Sequence, residues 1–203
     1  TARLARATEE ISELRGAIVI VELETDNTID IPDQLAAFAR VWDAGARAIV
    51  AVCNHPSGRV QFGNVSEDRA RWPVPLVLVG RANRAQLLAA VGANVTLRLA
   101  GAHRSVTAQN VQGRLARSDD WIVVSTPQSG WTTCAGERGP GIAYFRGLAE
   151  YAARLAKGPS WLFTSNSGHE LHDLGARLAH RAGTLPAPDR TALWLHLGAG
   201  IAQ

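Results

Sequence analysis

Six short apolar runs, separated by segments with helical spacing, restrict this chain to an alternating α/β architecture. The runs are 17–21 (AIVIV), 48–52 (AIVAV), 75–79 (PLVLV), 121–124 (WIVV), 161–163 (WLF) and 191–197 (TALWLHL). Uninterrupted runs of this length suit strands covered on both faces, as parallel sheets require. Between them, Pro32-Asp33 gives a helix-start signal, Leu35, Phe38 and Trp42 recur at helical spacing, and Gly45 ends the segment. Residues 82–91 read as another helix, and 95–99 and 106–115 as alternating strands. The clearest helix is 141–157, where Ile142, Phe145, Leu148, Ala152 and Leu155 form one stripe and Gly158-Pro159 stop it. Residues 6–14 read as a short lead-in helix ending near Gly16. Strands alternating with helices predict an α/β fold with a mixed, mostly parallel sheet flanked by helices.

Composition narrows the class. The chain has 203 residues, 46% of them hydrophobic, enough to bury a core in one large domain or two modest ones. No apolar run approaches the roughly 18 residues needed to span a membrane, so a soluble globular protein is expected. The opening TARLARATEE is charged and lacks the form of a secretory signal. A chain that begins at Thr1 and contains no Met reads as processed, trimmed or part of something longer. A free N-terminal Thr can act as a nucleophile, but a boundary of that kind is the favoured reading. The pI of 9.4 comes with Arg residues scattered from Arg3, Arg6 and Arg15 to Arg40 and Arg47. There is neither a basic cluster nor an aromatic platform, so no nucleic-acid partner is expected. Cys53 and Cys134 form no disulfide framework and no Cys-x-x-Cys pair, which leaves the compartment open. Asn64 and Asn94 each begin a glycosylation-type triplet that is common by chance.

The most informative stretch is 160–177, SWLFTSNSGHELHDLGAR. It reads as a buried strand, a turn through Asn166, Ser167 and Gly168, and then His169-Glu170 at the start of a helix. Open α/β sheets present reactive groups in that way, in the crevice beyond the carboxyl end of a strand. A polar helix start over ordinary sheet packing is the alternative reading.

Residues 14–101 resemble the protease-associated domain. The resemblance rests on RGAIVIVE, on FARVWDAGARAIVAV, and on WPVPLVLVGRANRAQLLAAVGANVTLRL. It implies a module without catalytic residues, serving as a lid or spacer beside a peptidase. The remainder, NVQGRL, DDWIVVS, GPGIAYFRGLAEYAARLA, SWLFTSNSGHELHDLGAR and ALWLHLGAG, resembles the zinc-dependent aminopeptidase family that carries such domains. That family includes bacterial leucyl aminopeptidases and the transferrin receptor. The expected organisation is a lead-in helix over 1–13, a protease-associated-like domain over 14–104, and the N-terminal part of an aminopeptidase-like domain over 105–203.

The resemblance also places a site and shows it altered. Pro127 and Ser129 stand where active members have a His-x-Asp ligand pair, and Glu137 stands at the bridging Asp. Gly168, His169 and Glu170 match the Gly-Glu-Glu that supplies a general base and then a ligand, and the Leu-x-x-x-Gly continuation survives as Leu171 to Gly175. His196 corresponds to a ligand Asp, and the last family His falls beyond Gln203. Proline cannot ligate through its side chain, and a two-zinc centre needs a bridging carboxylate with about two further ligands per metal. No metal pair is therefore expected. At most one ion, a single zinc, would sit on Glu137, Glu170 and His196. Without it, His169 acting with Glu137 or His196 is the remaining acid–base candidate.

Other candidates read as polar loop residues or surface groups. His169-Glu170-x-His172 has its histidines three apart, so it is not a His-Glu-x-x-His zinc motif, and His172 is expected to face solvent on the helix. Ser129, Cys134 and His103 lack an activating motif. His55 reads as a solvated turn residue, and His180 as favourable charge at a helix end. The expected function is an aminopeptidase-family-like protein with a rebuilt, non-dizinc site, acting as an altered enzyme. The alternative is a non-catalytic relative that binds a protein or peptide partner. The implied partners are a peptide or small-molecule ligand in the cleft and a second polypeptide completing the domain.

Overall fold

The computed structural model describes residues 1–23, 32–60, 64, 72–102 and 104–198. It divides into two compact units, Thr1–Arg104 and Ser105–Gln203. The first contains β1 (Ala2–Arg6), α1 (Ile11–Leu14), β2 (Ile18–Leu23), α2 (Pro32–Asp43), β3 (Ala48–Cys53), β4 (Leu76–Gly80), α3 (Arg84–Ala89) and β5 (Asn94–Val95). Its sheet runs β4-β3-β2-β1-β5, parallel except for β5. The runs AIVIV and AIVAV become the central strands β2 and β3. Ile18, Ile20, Ala48, Val50 and Val52 pack on one face with Leu87 and Leu88 of α3. From α2, Phe38 and Val41 are fully buried.

Three expectations for this unit are corrected. The lead-in helix over 6–14 is instead the strand β1 followed by the single turn α1. Leu4 and Ala5 are buried as β1 pairs with β2 and β5, and this tertiary pairing overrides the local helical preference. The strand over 95–99 shrinks to Asn94–Val95, and the helix over 82–91 to a 3-10 turn, Arg81–Asn83, leading into α3. Glu22 on β2 accepts from Arg84 Nε at 2.6 Å and from Arg6 at 3.3 Å. The Arg84 hydrogen bond, opposed by burial, holds its carboxyl below the usual range.

The second unit contains β6 (Val111–Leu115), β7 (Trp121–Pro127), α4 (Ala135–Arg154), β8 (Ser160–Asn166), α5 (Leu174–Arg181) and β9 (Thr191–His196). Its sheet runs β6-β8-β7-β9, with β7, β8 and β9 parallel and β6 antiparallel to β8. Trp161 and Phe163 alternate onto the face where Phe145, Leu148, Ala149 and Ala152 of α4 pack. The Phe145 and Phe163 rings meet edge to face at 5.5 Å. On the opposite face, Val123 and Leu162 are fully buried.

Here too the boundaries move. The expected helix over 141–157 starts earlier, at Ala135, and encloses Pro140 at the cost of one backbone hydrogen bond. Its buried stripe runs through Arg138, Gly141, Phe145 and Ala152, while Ile142 is 41% exposed. The strand over 106–115 contracts to Val111–Leu115. His169 and Glu170 open a 3-10 turn, His169–Leu171, and α5 begins only at Leu174. Among the described residues no helix is long and apolar enough to cross a membrane.

Leu162 is wholly inaccessible at the centre of the second sheet, so Leu162→Ala should cost about 2–5 kcal/mol through lost burial and the cavity it leaves. Urea unfolding of the purified variant checks this.

Candidate functional site

Parallel pairing brings the carboxyl ends of β7 and β8 level, with Pro127 opposite Asn166. The loops that follow, 128–134 and 167–173, therefore start side by side, and Gln128 N donates to the Asn166 carbonyl at 2.9 Å. The second loop is tightly folded. Gly168, His172 and Asp173 all have left-handed backbones, at φ 69°, 52° and 55°. For the two residues with side chains, that conformation costs roughly 1–2 kcal/mol each. Asn110 offsets this by accepting from Ser167 N at 3.1 Å and donating to the Gly175 carbonyl at 2.8 Å. Gly175 N donates back to Ser167 O at 3.0 Å, and any Cβ at 175 would collide with that carbonyl and with Asn110.

This turn presents Glu170 to a polar cluster. Glu170 is 8% exposed and both its oxygens are engaged. Oε2 accepts from Ser129 Oγ at 2.6 Å and Oε1 from Arg138 Nη2 at 3.2 Å. Ser129 Oγ in turn accepts from His169 N at 3.1 Å. Arg138, also 8% exposed, donates Nε to the Ser129 carbonyl at 2.7 Å and pairs through Nη1 with Glu137 at 2.8 Å. Burial pushes the Glu170 carboxyl up. The hydrogen bonds from Ser129 and its own amide, with the Arg138 guanidinium, outweigh that and hold it below its ordinary value. The His169 imidazole turns elsewhere, with Nδ1 2.6 Å from Asp173 Oδ1.

Glu137, His169 and Glu170 thus gather around Arg138 and Ser129, while His196 belongs to a different arrangement. On β9, its Nδ1 lies 2.9 Å from Ser125 Oγ, which also accepts from Trp194 Nε1 at 2.7 Å. The Ser125 hydroxyl has one proton and two lone pairs, so it can accept from Trp194 and bond Nδ1 in either imidazole tautomer. Ser125 is only 2% exposed, so this pair orders the strand end and offers no nucleophile to a substrate.

The one-ion set of Glu137, Glu170 and His196 is not assembled. Among the described residues no three His, Cys, Asp or Glu side chains are placed to hold a metal ion. Arg138 stands between the two carboxylates, and His196 is turned to Ser125. A zinc ion does not fit Glu137, Glu170 and His196 as they are placed. His172 caps the 3-10 turn rather than riding on a helix. Ser129 donates to a carboxylate instead of facing a base, and Cys134 Sγ donates to the Thr132 carbonyl at 3.1 Å. His55 pairs with Ser57 Oγ at 2.8 Å, and His180 sits in the last turn of α5. His103 lies outside the described residues.

The fold has counterparts among solved structures. The chain is similar to the aminopeptidase from Aneurinibacillus sp. strain AM-1, with a TM-score of 0.62 at 18% identity over 96% of its length. It is similar also to BSAP, a zinc aminopeptidase from Bacillus subtilis, with a TM-score of 0.60 at 16% identity over 96% of its length. The fold is aminopeptidase-like. The chain spans about half of each relative, 50% and 48% of their lengths. No protein-family model matches it, and no curated protein does.

Sequence reasoning missed Arg138, Asp173, Asn110 and Ser125. For Arg138 a signal was present, since it lies three residues before Gly141 and seven before Phe145, on the stripe that faces the sheet. Asp173 is four residues after His169, but that spacing becomes a pair here through a left-handed turn.

Two outcomes follow from this geometry. The Glu170 carboxyl is held below its unfolded value of about 4.3, so its contribution is present above that pH and is lost as pH falls through the folded value. Glu170→Gln should therefore be less stable than the parent at pH 7, with the gap closing below about pH 4 in urea titrations. Gly175→Ala should lower the thermal midpoint and raise amide exchange over 167–173, because the loop must open to admit the methyl group.

Proposed function

We propose that this protein is an aminopeptidase-like scaffold that works without a zinc pair, holding a peptide or small-molecule ligand in the crevice beyond β7 and β8. One observation carries the reading. The carboxylate at the family's ligand position, Glu170, is buried with both oxygens bound by Ser129 and Arg138. The charge of this anion is already balanced by the Arg138 guanidinium, which a metal would have to displace. Pro127 and Ser129 at the His-x-Asp positions support the same reading. In this reading the first unit is a protease-associated module, supported by its Arg15-Gly16 lead and by the Pro-flanked run that becomes β4. Leu193 and Trp194, half-exposed on the edge strand β9, fit a further polypeptide laid along that edge.

A second reading keeps catalysis. The 2.6 Å contact with Asp173 orients the His169 imidazole, an arrangement suited to metal-free acid–base chemistry. Its partner is then Asp173, in place of the Glu137 or His196 expected from the sequence.

Elemental analysis and an assay on aminoacyl anilides, with and without chelator, separate these readings. The binding scaffold shows less than one zinc per chain and no turnover. Chelator-resistant turnover that Asp173→Asn and His169→Ala each abolish establishes the second. Two tightly held zinc ions with chelator-sensitive turnover overturn both.

A further inference from the structure

We infer that Arg138 is the resident cation of this crevice, its guanidinium taking over the charge-neutralising and cross-linking work that a metal would perform among carboxylates. The inference rests on the metal-free reading above and goes beyond it by naming the group that makes a metal unnecessary. Arg138 reaches three separate pieces of chain. Nε holds the Ser129 carbonyl at 2.7 Å after β7, Nη2 holds Glu170 at 3.2 Å after β8, and Nη1 holds Glu137 on α4 at 2.8 Å. A planar fork with five fixed donors can serve three acceptors in different directions, which a lysine ammonium does less well.

The location strengthens the case. Arg138 sits near the N-terminus of α4, where the helix dipole favours anions and opposes a cation. It is also buried, and an unpaired charge there would be strongly unfavourable. Local electrostatics and desolvation both argue against a cation at this position, so the two carboxylates are what hold it there. The dependence is mutual, since Glu170 is as buried as Arg138 and, among the described residues, has no other cation in contact.

The test is a set of thermal midpoints on the full chain, in chelator and in excess zinc chloride. The parent, Arg138→Met and Arg138→Lys are each measured with and without Glu170→Gln. Arg138→Met should lower Tm by on the order of 10 °C, the effect of stranding a buried carboxylate in a chain of this size. Glu170→Gln should then raise Tm in the Met background and lower it in the Arg and Lys backgrounds. A packing role for Arg138 would produce no such change of sign. Zinc should raise Tm of Arg138→Met, by supplying its carboxylates with another cation, and leave the parent unmoved. If Glu170→Gln acts in the same direction whatever stands at 138, or if zinc leaves Arg138→Met unmoved, the inference fails. Should Arg138→Met not fold, the Lys background decides, since Glu170→Gln that leaves its Tm unchanged also overturns the inference. Zinc that raises Tm of the parent overturns the metal-free reading instead, which keeps the two failures apart.

Discussion

Parallel strand pairing delivers the two loops that wall the crevice, those after β7 and β8, to one edge of the sheet. Pro127 at the end of β7 lies opposite Asn166 at the end of β8. The next residues on each strand therefore emerge at the same height. Only because of that can Ser129, two residues beyond β7, reach Glu170, four beyond β8, at 2.6 Å. A slip of one residue between these strands would turn the apolar sets of both to the wrong face, and the alternation of Trp161 and Phe163 with Leu162 opposes such a slip. The polar cluster thus inherits its geometry from the aromatic packing beneath α4.

The strands were legible in the sequence because their side chains are buried on both faces, and burial is what an apolar run records. AIVIV, AIVAV and WLF fell on β2, β3 and β8 for that reason. TARLAR was not legible. Its strand character comes from partners at Ile18 and Val95, and nothing local distinguishes it from a charged helix. The start of α4 was obscured by Pro140, an expected boundary signal that here lies inside the helix. At the site, the closeness of Glu137 and Glu170 could be read from their positions at a helix start and a strand end, but the turn of the His169 imidazole toward Asp173 could not. The separation of His196 could not, because it depends on which neighbour a single imidazole nitrogen selects across β7 and β9. Asn110 was similarly hidden, since its role is to bond a turn 57 residues away.

An aminopeptidase-like framework with an arginine among its carboxylates illustrates two physical routes to the same electrostatic balance. Buried anions at a sheet edge must be neutralised, and either a bound ion or a side chain can do so. The side chain is covalently present from synthesis onward and fixes a single arrangement of its partners. It also brings its own desolvation, which Glu137 helps to offset from the helix side at 2.8 Å.

The successive left-handed residues His172 and Asp173 have a consequence for how the molecule comes together. Their backbone cost is met by bonds local to the loop, Asp173 N to the His169 carbonyl at 3.2 Å, Leu174 N to the Gly168 carbonyl at 2.9 Å and Arg177 Nε to the His172 carbonyl at 2.9 Å, together with Asn110, which immediately precedes β6. Since β6 pairs antiparallel with β8, part of what holds the crevice wall in shape comes from a segment distant in sequence. The contour of this edge therefore depends on the completed sheet as well as on the loop's own bonds.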